Sequence, residues 1–346
     1  MRALQYRSIG AAPEVVEVER PSPGPGEVLL SISAAGLCHS DIFLMGLPAE
    51  QYLGLGTLPM TLGHEAVGVV AELGAGTTGV SIGDLVAVYG PWGCGLCATC
   101  ARGSENYCPH AAGLGIVPPG IGAPGGMADF MIVDDVRHLV PITGMDPAAT
   151  VAITDAGLTS YHAIKAEFDL LLPGSTAVVI GAGGLGHVAV QILRAMSPAT
   201  VVAVDMSQQK LELAAAVGAH HVLPSDQQSA AAIRELTGGV GADVVFDIVG
   251  SDATLTMARE CVRVDGSVVI VGIGGGLLPA GFFSTPFGVR VRTPYWGTRD
   301  ELVEVLALAR DGLIRVEVET FSLDEAPKAY ARLHDGDIAG RAVVVP

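Results

Sequence analysis

Cysteine carries the densest chemical signal in this chain. Four of its six cysteines fall in "CGLCATCARGSENYC", as Cys94, Cys97, Cys100 and Cys108. Four thiolates at such spacing fit a tetrahedral Zn²⁺ site with bonds of about 2.3 Å. Such a site has no position left for a substrate, so its metal would be structural. The residues alone also allow free core cysteines or an iron–sulfur cluster. In a long chain, crowding of this kind reads as metal rather than as a disulfide framework.

Three further stretches offer reactive groups. "GLCHSD" supplies Cys38, His39, Ser40 and Asp41, and "GHEAVGVV" supplies His64 and Glu65. Singly, a cysteine is usually core and a histidine usually a satisfied polar residue. "PAATVAITDAGLTSYHAI" is bland except for Asp155. A buried carboxylate needs a partner. The local alternative is a helix cap at Thr154 or Asp155.

A nucleotide signal lies in "AVVIGAGGLGHVAVQILRA", which contains Gly181, Gly183, Gly184, Leu185 and Gly186. A lone GxGxxG is weak, but this one follows an apolar strand and opens a helix. The next strand, "TVVAVD", ends in Asp205. Glycines there permit a tight turn and a close approach to pyrophosphate, which the helix N-terminus favours. Asp205 would accept from the adenosine ribose hydroxyls and repel a 2′-phosphate, which predicts NAD over NADP. Lys210 lies beside it as a further coenzyme candidate; its alternative is a solvated lysine.

The elements that must position these groups change in texture along the chain. Residues 1 to about 150 are short β-type runs broken by glycine and proline, which predicts a partly closed β domain. From about 165, six apolar strands alternate with helical segments, which predicts a doubly wound parallel sheet. The tail holds a helix in "DELVEVLALARDG" and a strand in "GRAVVVP". At 346 residues, half of them apolar, the chain is long enough for two cored domains. Its 36 acidic residues against 19 basic ones give a formal charge of −17. No basic cluster is present, which excludes a nucleic-acid binder; the acids read as a solvated surface. The longest apolar run is Gly-rich and short for a membrane span. The N-terminal residues lack a signal-peptide pattern, so a cytoplasmic chain is expected.

Taken in order, "GLCHSD", "GHEAVGVV", "GDLVAV", the four-cysteine lobe and "GAGGLG" resemble the zinc-dependent medium-chain alcohol dehydrogenases, and among them the bacterial secondary-alcohol enzymes. The resemblance spans the whole chain. It implies a GroES-like catalytic domain over residues 1–156 and 297–346 and a Rossmann coenzyme domain over 157–296, with the active site in the cleft between them. It implies two Zn²⁺ per chain, NAD, and oxidation of an alcohol to a ketone or aldehyde and the reverse. Cys38 and His64 match ligands of the catalytic zinc. The third ligand, a cysteine in many members, is Asp155 here, as in part of the family. Glu65 matches a neighbour or transient ligand of that zinc, and Asp41 an orienter of His64. Ser40 matches the first hydroxyl of the proton relay. The relay's outer histidine is replaced by Phe43.

The same resemblance puts Thr159 behind the nicotinamide and backbone groups of Val271 and Ile273 at its carboxamide. It puts His39 and Arg341 near the coenzyme phosphates; either could equally be a surface residue. Phe43, Trp92, Tyr295 and Trp296 are expected to wall a hydrophobic substrate pocket. His110, His138, His162, His187, His220, His221 and His334 have no ligand-like context and read as structural or solvated. A homo-oligomer is implied, a tetramer built on dimers, pairing coenzyme domains through "GVRVRTP". Two competing functions remain: a polyol or amino-alcohol dehydrogenase of the same family, and a non-catalytic nucleotide-binding protein.

Overall fold

The structure, a computed structural model, describes residues 1–53 and 56–346. The chain forms two compact units. One holds Met1–Leu158, Thr298–Arg310 and Val316–Pro346, the other Thr159–Gly297 and Asp311–Arg315. Asp311–Arg315, expected in the catalytic domain, groups with the second unit for a local reason. The side-chain amide of Gln191 donates to the Arg315 carbonyl at 2.8 Å and accepts from the Arg315 amide at 2.8 Å.

The first unit is built on a sheet in the order Val318–Ser322, Arg341–Val345, Val28–Gly36, Glu65–Leu73, Leu85–Val88 and Leu139–Pro141, with Phe130–Val133 also paired to Val28–Gly36. Val28–Gly36 pairs antiparallel with Glu65–Leu73 through a register that shifts twice. Such irregularities bend a strand and let a sheet curl. The curled sheet encloses an aliphatic core that includes Leu30, Val70, Val86, Met127 and Val344. Its central strands end where the chemistry begins: Val28–Gly36 runs into Cys38, and His64 precedes Glu65–Leu73.

The second unit is a six-stranded parallel sheet in the order His221–Pro224, Thr200–Asp205, Thr176–Ile180, Ala242–Asp247, Val262–Ile270 and Arg290–Arg292. Numbered from Thr176–Ile180, this is the order 3-2-1-4-5-6 of a Rossmann fold, with its crevice at the switch point beside the first strand. Both faces of a parallel sheet are covered, so its strands are near-continuous runs of buried Val, Ile and Ala rather than alternating ones. Val178, Val202 and Val245 are almost fully buried. "GVRVRTP" supplies three strand residues, Arg290–Arg292, at the sheet's end.

Candidate metal and coenzyme sites

Cys94, Cys97, Cys100 and Cys108 converge in the first unit. Four sulfurs bonded to one tetrahedral zinc at about 2.3 Å would lie about 3.8 Å apart. The Cys97–Cys100, Cys94–Cys100 and Cys97–Cys108 sulfur separations are 3.5, 3.9 and 4.0 Å. These are far too long for disulfides, and all six cysteines are free thiols. Burial opposes ionisation of Cys108, but the Cys94 and His110 amides outweigh it and bring the thiol down to about 6, while burial and the neighbouring thiols push Cys100 up to about 12, so the four share their charge unevenly. The donor set therefore fits a closed zinc site.

A second group draws on three separated segments. Cys38, at the N-terminus of helix His39–Met45, His64, and Asp155, between the turn Ala152–Thr154 and helix Ala156–Lys165, bring their ligand atoms within 4.8 Å of one another. Asp155 Oδ2 lies 3.6 Å from Cys38 Sγ and 3.5 Å from His64 Nε2. A thiolate, an imidazole and a carboxylate suit Zn²⁺, and three protein donors leave a fourth position open. His64 Nδ1 faces Asp41 Oδ1 at 2.8 Å. An ionised carboxylate only accepts, so Nδ1 carries a proton and Nε2 faces the group, where its lone pair takes either a second proton or a metal ion. Burial works against charge on this ring, yet Asp41, Asp155 and Cys38 raise its pKa well above the ordinary 6.5. The surroundings favour positive charge at this place.

Ser40 Oγ lies 3.3 Å from His64 Nε2, so the hydroxyl also reaches the group. Asp41 is fully buried and accepts at Oδ2 from the Cys38 amide at 3.1 Å and from the Tyr330 hydroxyl at 2.7 Å. Glu65 is fully buried and paired with Arg341 through both carboxylate oxygens. Burial pushes the Glu65 carboxyl up to about 7; Arg341 opposes that and Asp155 adds to it. Room for Glu65 comes from Gly36, where a Cβ would fall 1.6 Å from Oε2.

Arg341 is not the surface residue that one reading allowed. Read as a phosphate contact or a surface residue, it is 3 % exposed, with its guanidinium on Glu65 and 3.4 Å from Asp155. Its charge offsets that of Glu65 and faces Asp155. Sequence reasoning missed Tyr330 altogether, because it sits in an ordinary amphipathic helix, Ala326–His334, with no motif around it.

In the second unit the glycine motif joins strand Thr176–Ile180 to helix Gly186–Met196. Gly181 has φ +92°, and a Cβ on Gly186 would fall 1.8 Å from the Gly181 carbonyl oxygen. Both are demanded by the turn itself. Gly183 is different: its Cβ would meet nothing nearer than Lys210 Cε at 3.9 Å. Protein packing leaves that surface bare, as a close-approaching pyrophosphate requires. Asp205 accepts from the Ala182 and Ser207 amides at 2.7 and 2.8 Å, which fixes its carboxylate over the loop. Two carboxylate oxygens retain lone pairs for ribose hydroxyls. The residues present therefore fit a dinucleotide.

The remaining candidates divide. Thr159 is buried, and His39 is exposed. The Val271 amide donates to the Asp247 carbonyl at 2.8 Å, and Ile273 is exposed. Phe43 and Tyr295 expose their rings. Trp92 and Trp296 are buried. Trp92 stacks on His138 at 5.2 Å and donates its indole N–H to the Tyr89 carbonyl, so packing accounts for it.

Both units have known relatives. Residues 24–144 match the alcohol dehydrogenase GroES-like domain, and residues 184–311 match the zinc-binding dehydrogenase family. An NAD-dependent alcohol dehydrogenase of Sulfurisphaera tokodaii is 35% identical, covering 100% of both chains. The alcohol dehydrogenase of the archaeon Aeropyrum pernix is 33% identical, covers 100% of both chains and superposes with a TM-score of 0.92. Acetophenone reductase from Geotrichum candidum, solved in complex with NAD, is 30% identical over 100% of this chain and 97% of its own, with a TM-score of 0.86. A GroES-like unit that gathers Cys38, His64 and Asp155, a Rossmann unit with its glycine loop, and full-length identity at this level place the chain in the zinc-dependent medium-chain alcohol dehydrogenase family.

Proposed function

We propose that this chain is an NAD-dependent zinc alcohol dehydrogenase acting on secondary, hydrophobic alcohols and the matching ketones. The first unit is the catalytic domain and the second the coenzyme domain. The observation that carries the reading is the convergence of Cys38, His64 and Asp155 beside Ser40. Zinc, when bound, supplies Lewis acidity toward the substrate oxygen, and NAD supplies the hydride acceptor. Cys38, His64 and Asp155 hold the catalytic ion; Cys94, Cys97, Cys100 and Cys108 hold the structural one. One thiolate and one carboxylate balance a divalent cation formally, while Glu65 and Arg341 balance each other. Ser40 Oγ receives the proton released by the substrate hydroxyl as it hands its own proton on. Phe43 has no proton to pass on, so the outer path runs through the coenzyme ribose and water, and Phe43 walls the substrate pocket. Gly183 and its neighbours admit the pyrophosphate, and Asp205 selects NAD by accepting from the ribose.

Reduced thiols at both metal sites suit a cytoplasmic protein. Self-association through the end strand Arg290–Arg292 is supported by exposed Phe282, Phe283 and Phe287 in the segment leading to it. Light scattering that returned a monomer would remove that part of the reading.

Two measurements test the function. Zinc analysis should return two ions per chain; one ion would leave only a structural lobe and point to a non-catalytic nucleotide-binding protein. A panel of 2-butanol, 1-phenylethanol, sorbitol and threonine, each with NAD and NADP, should favour the first two alcohols with NAD. Preference for sorbitol or threonine would overturn the substrate class, and preference for NADP the role of Asp205.

A further inference from the structure

We propose that Tyr330 is a positioning residue for the catalytic metal, acting through Asp41 on His64. The inference rests on reading Cys38, His64 and Asp155 as zinc ligands. Tyr330 is 4 % exposed and Asp41 fully buried. Three donors from three separate segments hold the Asp41 carboxylate: His64 Nδ1 at 2.8 Å, the Cys38 amide at 3.1 Å and the Tyr330 hydroxyl at 2.7 Å. Two of these donors belong to metal-ligand residues, whose mutual placement the carboxylate therefore fixes. The third comes from 289 residues away in sequence.

Packing does not require the hydroxyl. The helix Ala326–His334 buries Ala326, Ala329, Tyr330 and Leu333 against an apolar core, where phenylalanine would fill the same volume. The hydroxyl's second neighbour is Met127 Sδ at 3.4 Å, a weak acceptor, so the proton lies toward Asp41. Burial, and then the Asp41 charge, push the phenol well above its ordinary range, so it stays a donor. With the Tyr330 O–H in place, Asp41 Oδ2 is pinned and Oδ1 stays in line with His64. Without it, one oxygen of a buried carboxylate is left to a single amide, and the group can turn away from the imidazole. Outer partners of this kind typically change metal affinity by about 10–100-fold.

The test is the rate of zinc release to a chelator from the full-length protein, which contains its own control. Tyr330→Phe should release the catalytic zinc about 10-fold faster, while release from the four-cysteine lobe stays as in the wild type. Met127→Leu, which leaves the Asp41 contact in place, should release both ions at the wild-type rate. Tyr330→para-aminophenylalanine keeps an N–H donor and should restore slow release. In an Asp41→Asn background, Tyr330→Phe should add nothing. Unchanged catalytic-zinc release in Tyr330→Phe, equal acceleration at both sites, or fast release from the para-amino variant would overturn the inference alone. A wild-type protein with a single zinc would overturn the metal reading on which it stands.

Discussion

The two candidate metal sites of this chain are built in opposite ways. The lobe takes four like donors from one short stretch, Cys94 to Cys108, and its sulfurs already stand near tetrahedral spacing. The catalytic group takes three unlike donors from the N-terminus of a helix, the residue before a strand and the junction after a turn. Charges stand directly behind and beside its donors: Asp41 behind His64, and the pair Glu65–Arg341 beside Asp155. A closed structural site needs only that its ligands be close, which a loop can supply. An open site must hold a vertex free against collapse, so each donor is fixed by a different rigid element and each charge needs a partner.

The strongest way to break this comparison is Asp155→Ala. With a ligand gone, zinc content should fall to one ion per chain, and kcat/KM by on the order of 10³-fold or more, several kcal/mol of transition-state stabilisation. Retention of both ions and of activity would return Asp155 to a turn residue. Cys100→Ser should act the other way round. The lobe's ion is lost, the unfolding temperature drops by an amount reflecting several kcal/mol, and the catalytic zinc with most low-temperature activity remains. Loss of the catalytic ion in that variant would show that the two sites are not independent.

Smaller effects sharpen the contrast. Ser40→Ala should lower kcat about 100-fold while metal analysis still returns two ions. A variant that loses zinc would make Ser40 part of the ligand shell instead.

The smallest effect concerns how the lobe is anchored. His138 is fully buried, with Nδ1 2.6 Å from Asp134 and Nε2 3.0 Å from Glu105; Arg137 also reaches Glu105, at 3.2 Å. Burial opposes charge on His138, but Asp134 and Glu105 raise its pKa above the ordinary 6.5, while Arg137 acts against them. Burial likewise opposes ionisation of Glu105, yet His138, the Gly93 amide and Arg137 bring it below its ordinary 4.5. A raised histidine contributes fully below its unfolded pKa and is lost as pH rises through the folded one. A lowered carboxylate contributes above its unfolded pKa and is lost as pH falls through the folded one. The charged network is therefore complete between about pH 4.5 and 6.5, from the unfolded values. His138→Gln should cost about 1.5 kcal/mol there, and the gap to wild type in unfolding temperature should narrow toward pH 9. A gap that is flat with pH would mean that His138 is held neutral.

Most of this architecture is legible in the chain because its signals are local. A thiolate cluster, a glycine turn between strand and helix, and apolar runs of strand length each state themselves within about 20 residues, and the ligand set of the lobe is one of them. Asp155 marks the limit. Its neighbours read as a helix cap, and only likeness to a family suggested a ligand. In the fold its carboxylate lies within 3.6 Å of Cys38 and His64. Arg341 and Tyr330 lie beyond that limit. The first looks like any cation opening a strand, the second like any aromatic in an amphipathic helix, and their partners are 276 and 289 residues away.

Sequence by itself determined which elements form and which donors exist, since propensity, turn chemistry and ligand type belong to residues and their near neighbours. Tertiary structure alone decided which charges face one another in the buried catalytic group. Burial turns each unpaired charge there into a large penalty, and chain closure over hundreds of residues selects the partners that remove it.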